Sequence, residues 1–466
     1  MPHKHSKKTN KKGSVPKRIP SNVDYSITSK WDPLPAERSA RLITKQGKNS
    51  FLKEGAVMKE PDGQKSFASL DKHGNTMLHS AANENNEIFF LNTIKGVKNK
   101  NPRNNDGTTP LHLAASKGNL RICELIIEHI EDKNPKNDEG KTPLHNVVFH
   151  YSTEKEHLQV CKLIISNIQD ANPTDNEGFT PLHYAADQGK LEVCKLLLQN
   201  VNDKNPKNNA HQTPLHCVAM QGHQKIFKLI SKEVEDINPR DVNSTTPLHQ
   251  AAKNGHLKIC KRILKRISDK EPKDNTGWTP LHDAAQKGHL EICQLLYEYV
   301  LLKNPSAIDG STPLHAAAQN GHLPVVCLIS ENTDNMNPKD SYGMTPFHDA
   351  ANMRHVQVCQ KILESAKEKN PKDINGETPF HYAAKKGYVE ICENIINSVQ
   401  CKGCKNPKDN FGTTPLHLAA QHGRVGVFQL ILKNVDEKNP KDNRGKIPID
   451  LADGHKNILR IYRQFS

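Results

Sequence analysis

The feature that most constrains this chain is self-similarity at a fixed period. A Thr-Pro-Leu-His block recurs with its Thr at Thr76, Thr109, Thr142, Thr180, Thr213, Thr246, Thr279, Thr312, Thr345, Thr378 and Thr414, and Ile447 takes that place in a twelfth copy. The spacing is 33 residues in nine of eleven steps, and 38 and 36 in the other two. Such a period means stacked supersecondary units, each burying a small apolar face on its neighbours, rather than separate globular domains. It also reconciles two properties that otherwise conflict. A length of 466 residues suggests roughly three domains at about 150 residues each. A composition of 35% hydrophobic and 5% aromatic residues, with a mean hydropathy of −0.72, is lean for thick cores. Thin stacked units need no thick core.

The chemistry of one unit is legible in residues 268–301. Gly277 supplies the positive φ of a tight turn. Thr279 is placed to cap a helix, with Pro280 at the first helical position, where a missing N–H costs nothing. Leu281, Ala284 and Ala285 predict a short helix with a small-residue face, ended by Gly288. Leu290, Ile292, Cys293, Leu296 and Val300 recur at roughly helical spacing and predict a second, amphipathic helix. The predicted unit is turn, helix, loop, helix.

The motif Asp-x-x-Gly-x-Thr-Pro-Leu-His-x-Ala-Ala-x-x-Gly-His-Leu at this period resembles the ankyrin repeat. The resemblance covers residues 66–466 in twelve copies, with the anchoring Pro in eleven and the turn Gly in ten. It implies an all-α repeat solenoid of stacked helix-turn-helix units with β-hairpin fingers projecting at one side. It also implies protein binding on the concave face of fingers and first helices. The end repeats depart from the pattern, with Met77 and Asn85 for Pro and Gly in the first, and Ile447 and Asp450 for Thr and His in the last. Terminal repeats have one solvent-facing side, so atypical ends are expected of a complete array.

The formal charge of +14 is unevenly placed. Residues 1–70 hold 15 Lys/Arg and 6 Asp/Glu, a net of +9; the rest hold 50 and 45, a net of +5. Residues 1–65 are expected to be a disordered basic tail and linker. Within it Lys7, Lys8, Lys11, Lys12, Lys17 and Arg18 are candidates for a nuclear-import signal, against the alternative of a merely solvated tail. Nucleic acid is expected as a partner through this tail if at all. The N-terminus lacks the apolar core of a secretory signal. No stretch approaches the ~18 apolar residues of a membrane span. Eleven cysteines without an export signal fit a reducing compartment. The expected setting is intracellular, cytoplasmic or nuclear, and the expected state a monomer.

Residues that carry chemistry elsewhere here follow the repeat. Eleven histidines, from His79 to His417, occupy one slot three residues after the anchor; His223, His256, His289, His322 and His355 follow the inter-helix position. Neighbouring units stack at about 8–10 Å, too far for shared ligands at ~2.0–2.1 Å from one metal. The resemblance implies structural hydrogen bonds for the first row. Cys123, Cys161, Cys194, Cys260, Cys293, Cys359 and Cys392 share one position of the second helix and are expected to be small buried hydrophobes. Cys401 and Cys404 form a lone Cys-x-x-Cys in an insertion, a weak metal or redox signal. No phosphate-binding loop, nucleophile elbow or zinc-protease motif is present, so neither catalysis nor a cofactor is expected.

If the repeats bind a protein, residues that vary at exposed slots carry the contact. Phe179, Trp278, Tyr342, Met344 and Phe411 precede the anchor in the fingers, and Tyr184 and Tyr382 lie on first helices; exposed aromatics make favoured anchors. Lysines flank the Asn-Pro joint in many copies, as Lys133 with Lys136, Lys270 with Lys273, and Lys369 with Lys372. Interleaved acids such as Asp274 and Asp373 predict a solvated, charge-mixed edge there. The function expected is a non-enzymatic scaffold or adaptor. The alternative is a nuclear regulatory protein whose basic tail contacts nucleic acid or import receptors.

Overall fold

The computed structural model describes residues 70–149, 154–400 and 402–465. The basic segment with Lys7, Lys8, Lys11, Lys12, Lys17 and Arg18, the insertion at 150–153, and Cys401 lie outside the described residues.

The seventh repeat shows how the sequence produces the unit. Thr279 is extended (φ −110°, ψ 165°), Pro280 opens the first helix Pro280–Lys287, and Gly288 closes it in the left-handed region at φ 74°. The second helix, Leu290–Tyr297, buries Ile292, Cys293, Leu295 and Leu296. Burying one such aliphatic side chain contributes about 1.5–3 kcal/mol. First helices pack on the first helices of adjacent repeats, and second helices likewise. Ala284 and Ala285, both fully buried, let the first helices approach closely. The seven second-helix cysteines are buried as expected, and burial pushes the Cys161 and Cys293 thiols up to about 12.

One expectation fails locally. Among the described residues no β-strand is present; where hairpin fingers were expected, each repeat carries a tight turn. The reason is a side chain. In the seventh repeat Asp274 Oδ1 accepts the backbone N–H groups of Thr276 (2.8 Å) and Trp278 (2.9 Å), donors a strand partner would otherwise take. Only one backbone bond ties each turn to the one before, here Asn275 N–H to the Asn243 carbonyl at 2.9 Å. One rung per pair does not make a ladder.

The twelfth repeat replaces its first α-helix with a 3-10 turn, Pro448–Leu451. Asp450 accepts the Ile447 N–H at 2.9 Å, doing the capping work of the missing histidine.

Candidate functional site

The turns and first helices form one continuous face, and most of its polar groups are already spent on holding the stack together. The first histidine row is the clearest case. The Thr279 N–H donates to His282 Nδ1 at 3.1 Å, which leaves Nε2 as the protonated nitrogen, and Nε2–H donates to the Ser311 carbonyl of the next repeat at 3.3 Å. The same pair of bonds recurs from His79 to His417. Each ring therefore caps its own helix and ties down the following turn. Burial is the main reason these rings stay neutral: it pulls His112, His183 and His216 down to about 4 and His282 and His348 to about 3.

The second histidine row works backwards along the stack. His256 Nε2–H donates to the Met220 carbonyl of the preceding repeat at 2.9 Å, and His289, His322 and His355 make the equivalent bond. Each ring rests on the preceding inter-helix glycine. A Cβ on Gly222 would sit 2.4 Å from the His256 ring. This glycine is needed for its φ of +81° and for the space above it.

The lysine edge departs from expectation. Lys133, Lys204, Lys270 and Lys369 each curl back to donate to carbonyls at the C-terminal end of their own second helix, where the helix dipole favours a cation. Lys136 reaches the Thr174 carbonyl at 2.6 Å, Lys372 the Lys408 carbonyl at 2.9 Å and Lys408 the Lys441 carbonyl at 3.0 Å, each in the next repeat. The edge is a run of caps and struts. The joint asparagines act similarly: Asn134, Asn205 and Asn406 accept the N–H of Leu144, Leu215 and Leu416 at the next first helix.

The contact candidates divide once placed. Phe179, Tyr184 and Tyr382 are buried, so the expectation that they are exposed is corrected. Both tyrosines are tethered: the Tyr184 hydroxyl donates to Asp175 Oδ2 at 2.7 Å, and the Tyr382 hydroxyl to Asp373 Oδ2 at 3.1 Å. Phe179 packs in turn against the Tyr184 ring, with centroids 5.8 Å apart. Trp278 is half-buried and stacks on His282 at 5.3 Å. Met344 is half-buried, while Tyr342 and Phe411 are exposed, Phe411 by 64%.

Three further residues belong with Tyr342 and Phe411 and escaped the sequence reading, because aliphatic residues in a turn are not conspicuous. Val242, Ile308 and Ile374 are exposed by 49%, 79% and 58% at the turn tips of repeats six, eight and ten. With Tyr342 in repeat nine and Phe411 in repeat eleven they place an apolar side chain on five of six consecutive tips; Asn275 stands on the sixth. The tips of repeats two to four are polar and mostly acidic, with Asp106, Asp138, Glu139 and Glu177 exposed.

Nothing on this face assembles a metal centre: among the described residues no three His, Cys, Asp or Glu side chains lie together in that way. Cys404 is exposed. No described helix is long and apolar enough to cross a membrane. The chain matches a family model described as ankyrin repeats (3 copies) over residues 78–150, 149–241, 229–305, 298–373 and 363–444. No curated protein matches it.

Proposed function

Since the chain belongs to the ankyrin-repeat family, whose repeats are generally protein-interaction modules, we propose that it is a non-enzymatic scaffold that binds a protein across the turn tips and first helices of repeats six to eleven. The observation that carries this reading is the run of exposed apolar tips Val242, Ile308, Tyr342, Ile374 and Phe411. Water gains nothing from wetting them, and a row on the two neighbouring tip positions of successive repeats offers a partner a preformed apolar edge. Little ordering entropy is lost when a prebuilt surface binds. The buried free thiols suit a reducing, intracellular compartment. A monomer suits this reading, since the repeats bury their apolar faces on one another within one chain.

Affinity capture with the full chain tests this. Ile374→Asp and Phe411→Asp are expected to lose a protein that Asp106→Lys retains. Identical capture by all three would remove the tips from the interface.

A further inference from the structure

The second helices turn side chains to solvent, and in two adjacent repeats the same three places all hold lysine. Lys225, Lys228 and Lys232 stand on the helix Gln224–Glu233 of repeat five. Lys258, Lys261 and Lys265 take the equivalent places in repeat six, on and just after the helix Leu257–Leu264. All six are exposed. Seven residues at ~1.5 Å each give a row a length of about 10 Å, and the stacking distance of about 8–10 Å separates the two rows. Six ammonium groups thus form a grid about as wide as it is long.

This grid works against its own helices. Lysines three and four residues apart repel one another. Lys225 and Lys258 lie in the first turn, where the helix dipole favours an acid; repeats four, seven and ten place Glu192, Glu291 and Glu390 there. On the second helices of repeats two and four cations are paired, Arg121 with Glu87 at 3.5 Å and Glu124 at 3.1 Å, and Lys195 with Glu192 at 2.6 Å. Among the described residues no carboxylate pairs with any of the six grid lysines. Arg266 beside them is already spent, its guanidinium donating to the Ser231 and Val234 carbonyls of the preceding repeat. The lysines of the joint cap and strut the stack; those of the grid do neither.

The borders of the grid select the kind of anion. Glu233, Glu235, Asp236 and Asp269 are exposed past the C-terminal ends of the two helices, and Glu192 and Glu291 stand one repeat away on either side. A nucleic acid carries charge along its whole length and would run from the grid onto these acids. No exposed aromatic side chain stands in the grid to stack on a base, and no exposed apolar one to enter a bilayer. A short anionic segment stays within the borders.

We propose that the lysine grid of repeats five and six binds a short Asp/Glu-rich segment of a protein, a second interaction surface besides the apolar tips. A helical segment with carboxylates at i, i+3 and i+7 repeats the spacing of Lys225, Lys228 and Lys232, and lying between the rows it meets both. The attraction is between exposed charges, so salt weakens it.

Fluorescence anisotropy of a labelled helical peptide with glutamates at this spacing, titrated with the full chain, tests it. Affinity is expected to fall as salt rises, and to fall roughly tenfold or more in K225E/K228E/K258E/K261E, where four exposed pairs are lost and reversed. K367E/K385E/K386E/K433E changes the net charge equally elsewhere on the array and is expected to bind as wild type. The pair K225E/K258E restores the acid of repeats four, seven and ten. It is therefore expected to unfold at the wild-type urea midpoint or above while binding the peptide more weakly, and it carries the test should the quadruple grid variant not fold. A lower midpoint would make these lysines structural and overturn the proposal. So would absence of binding, or equal loss in both quadruple variants. Tighter grid-dependent binding of a short DNA duplex or of phosphatidylserine vesicles would make the partner a nucleic acid or a bilayer, and the assignment falls. The grid is independent of the tips: Ile374→Asp with Phe411→Asp is expected to leave the peptide's affinity unchanged, and its loss there would place the peptide on the tips instead.

Discussion

Repeats two to four and repeats six to eleven are built on the same rungs and finished with different tips. His112 and His348 make the same two bonds, to their own cap and to the next turn. The tips above them diverge, acidic at Asp106, Asp138, Glu139 and Glu177 and apolar at Val242, Ile308, Tyr342, Ile374 and Phe411. A stack held by backbone-directed bonds leaves these tip side chains free to change, because the neighbouring turn is tied to the tip's backbone. The bonds that hold the stack and the side chains that set its surface character thus occupy different residues of one unit.

The largest test of the shared scaffold is acid. Nine histidines of the first row, from His112 to His381, are neutral when folded, held by burial at about 3 to 4 against about 6.5 unfolded. Below 6.5 the unfolded chain binds protons the folded one refuses, so stability is full above that pH and falls as pH drops towards 4. The loss is about 1.4 kcal/mol per pH unit for each such ring. Summed over the row, it is expected to exceed the ~5–15 kcal/mol typical of a domain before pH 4. Urea unfolding at pH 7.5 and 5.5, followed by segment-resolved hydrogen exchange, should show both regions weakening together. A flat profile, or one region failing alone, would break the claim of a common scaffold.

Next in size are the glycines under the second histidine row. Gly222→Ala and Gly288→Ala both drive a Cβ to within 2.5 Å of a histidine ring in the next repeat. Each is expected to cost about 2–3 kcal/mol, combining left-handed backbone strain with a lost histidine bond. Gly445→Ala is the control: its φ is +79° but nothing lies within 4 Å, so only the backbone cost of about 1–2 kcal/mol remains. Equal losses at Gly222 and Gly445 would show that the ring above Gly222 imposes nothing.

Tyr184→Phe and Tyr382→Phe sharpen the comparison from inside the face. Each removes the donor to a buried aspartate and should cost about 1 kcal/mol in chemical denaturation, in either region alike. No change in midpoint would mean that the tether does not hold the turn.

The smallest effect on stability belongs to the tips. Ile308→Asn and Phe411→Asp are expected within about 0.5 kcal/mol of wild type, while binding of an apolar dye to the folded chain falls. Asp106→Asn should change neither. A tip substitution that unfolds the array would show that the tips brace the stack.

Much of this architecture was open to reading from the residues. The 33-residue period, the Thr279 cap with Pro280 behind it, the glycine terminators and the buried Cys row follow from rules of local geometry and periodicity. The partner candidates were harder. Tyr382 and Phe411 look alike as aromatics in a polar chain, yet one is tethered to Asp373 and buried while the other stands exposed. A residue's exposure depends on what lies nine positions earlier and in the adjacent repeat, and spacing alone does not disclose that. The lysines beside the joint looked solvated because a charge pattern does not say which carbonyls lie within reach of a long side chain.

By itself the sequence determined the unit, its number and its stacking, because helix capping, turn glycines and apolar period are local properties repeated at a fixed interval. The tertiary structure alone decided which polar groups are spent and which are spare. Asp175 and Asp274 occupy the same place in their repeats. Only the packed arrangement shows that a tyrosine hydroxyl answers the second oxygen of the first, while Asp283 stands at the corresponding place beside the second. Whether a hydrogen bond is satisfied depends on distances between segments, which only the folded chain brings together.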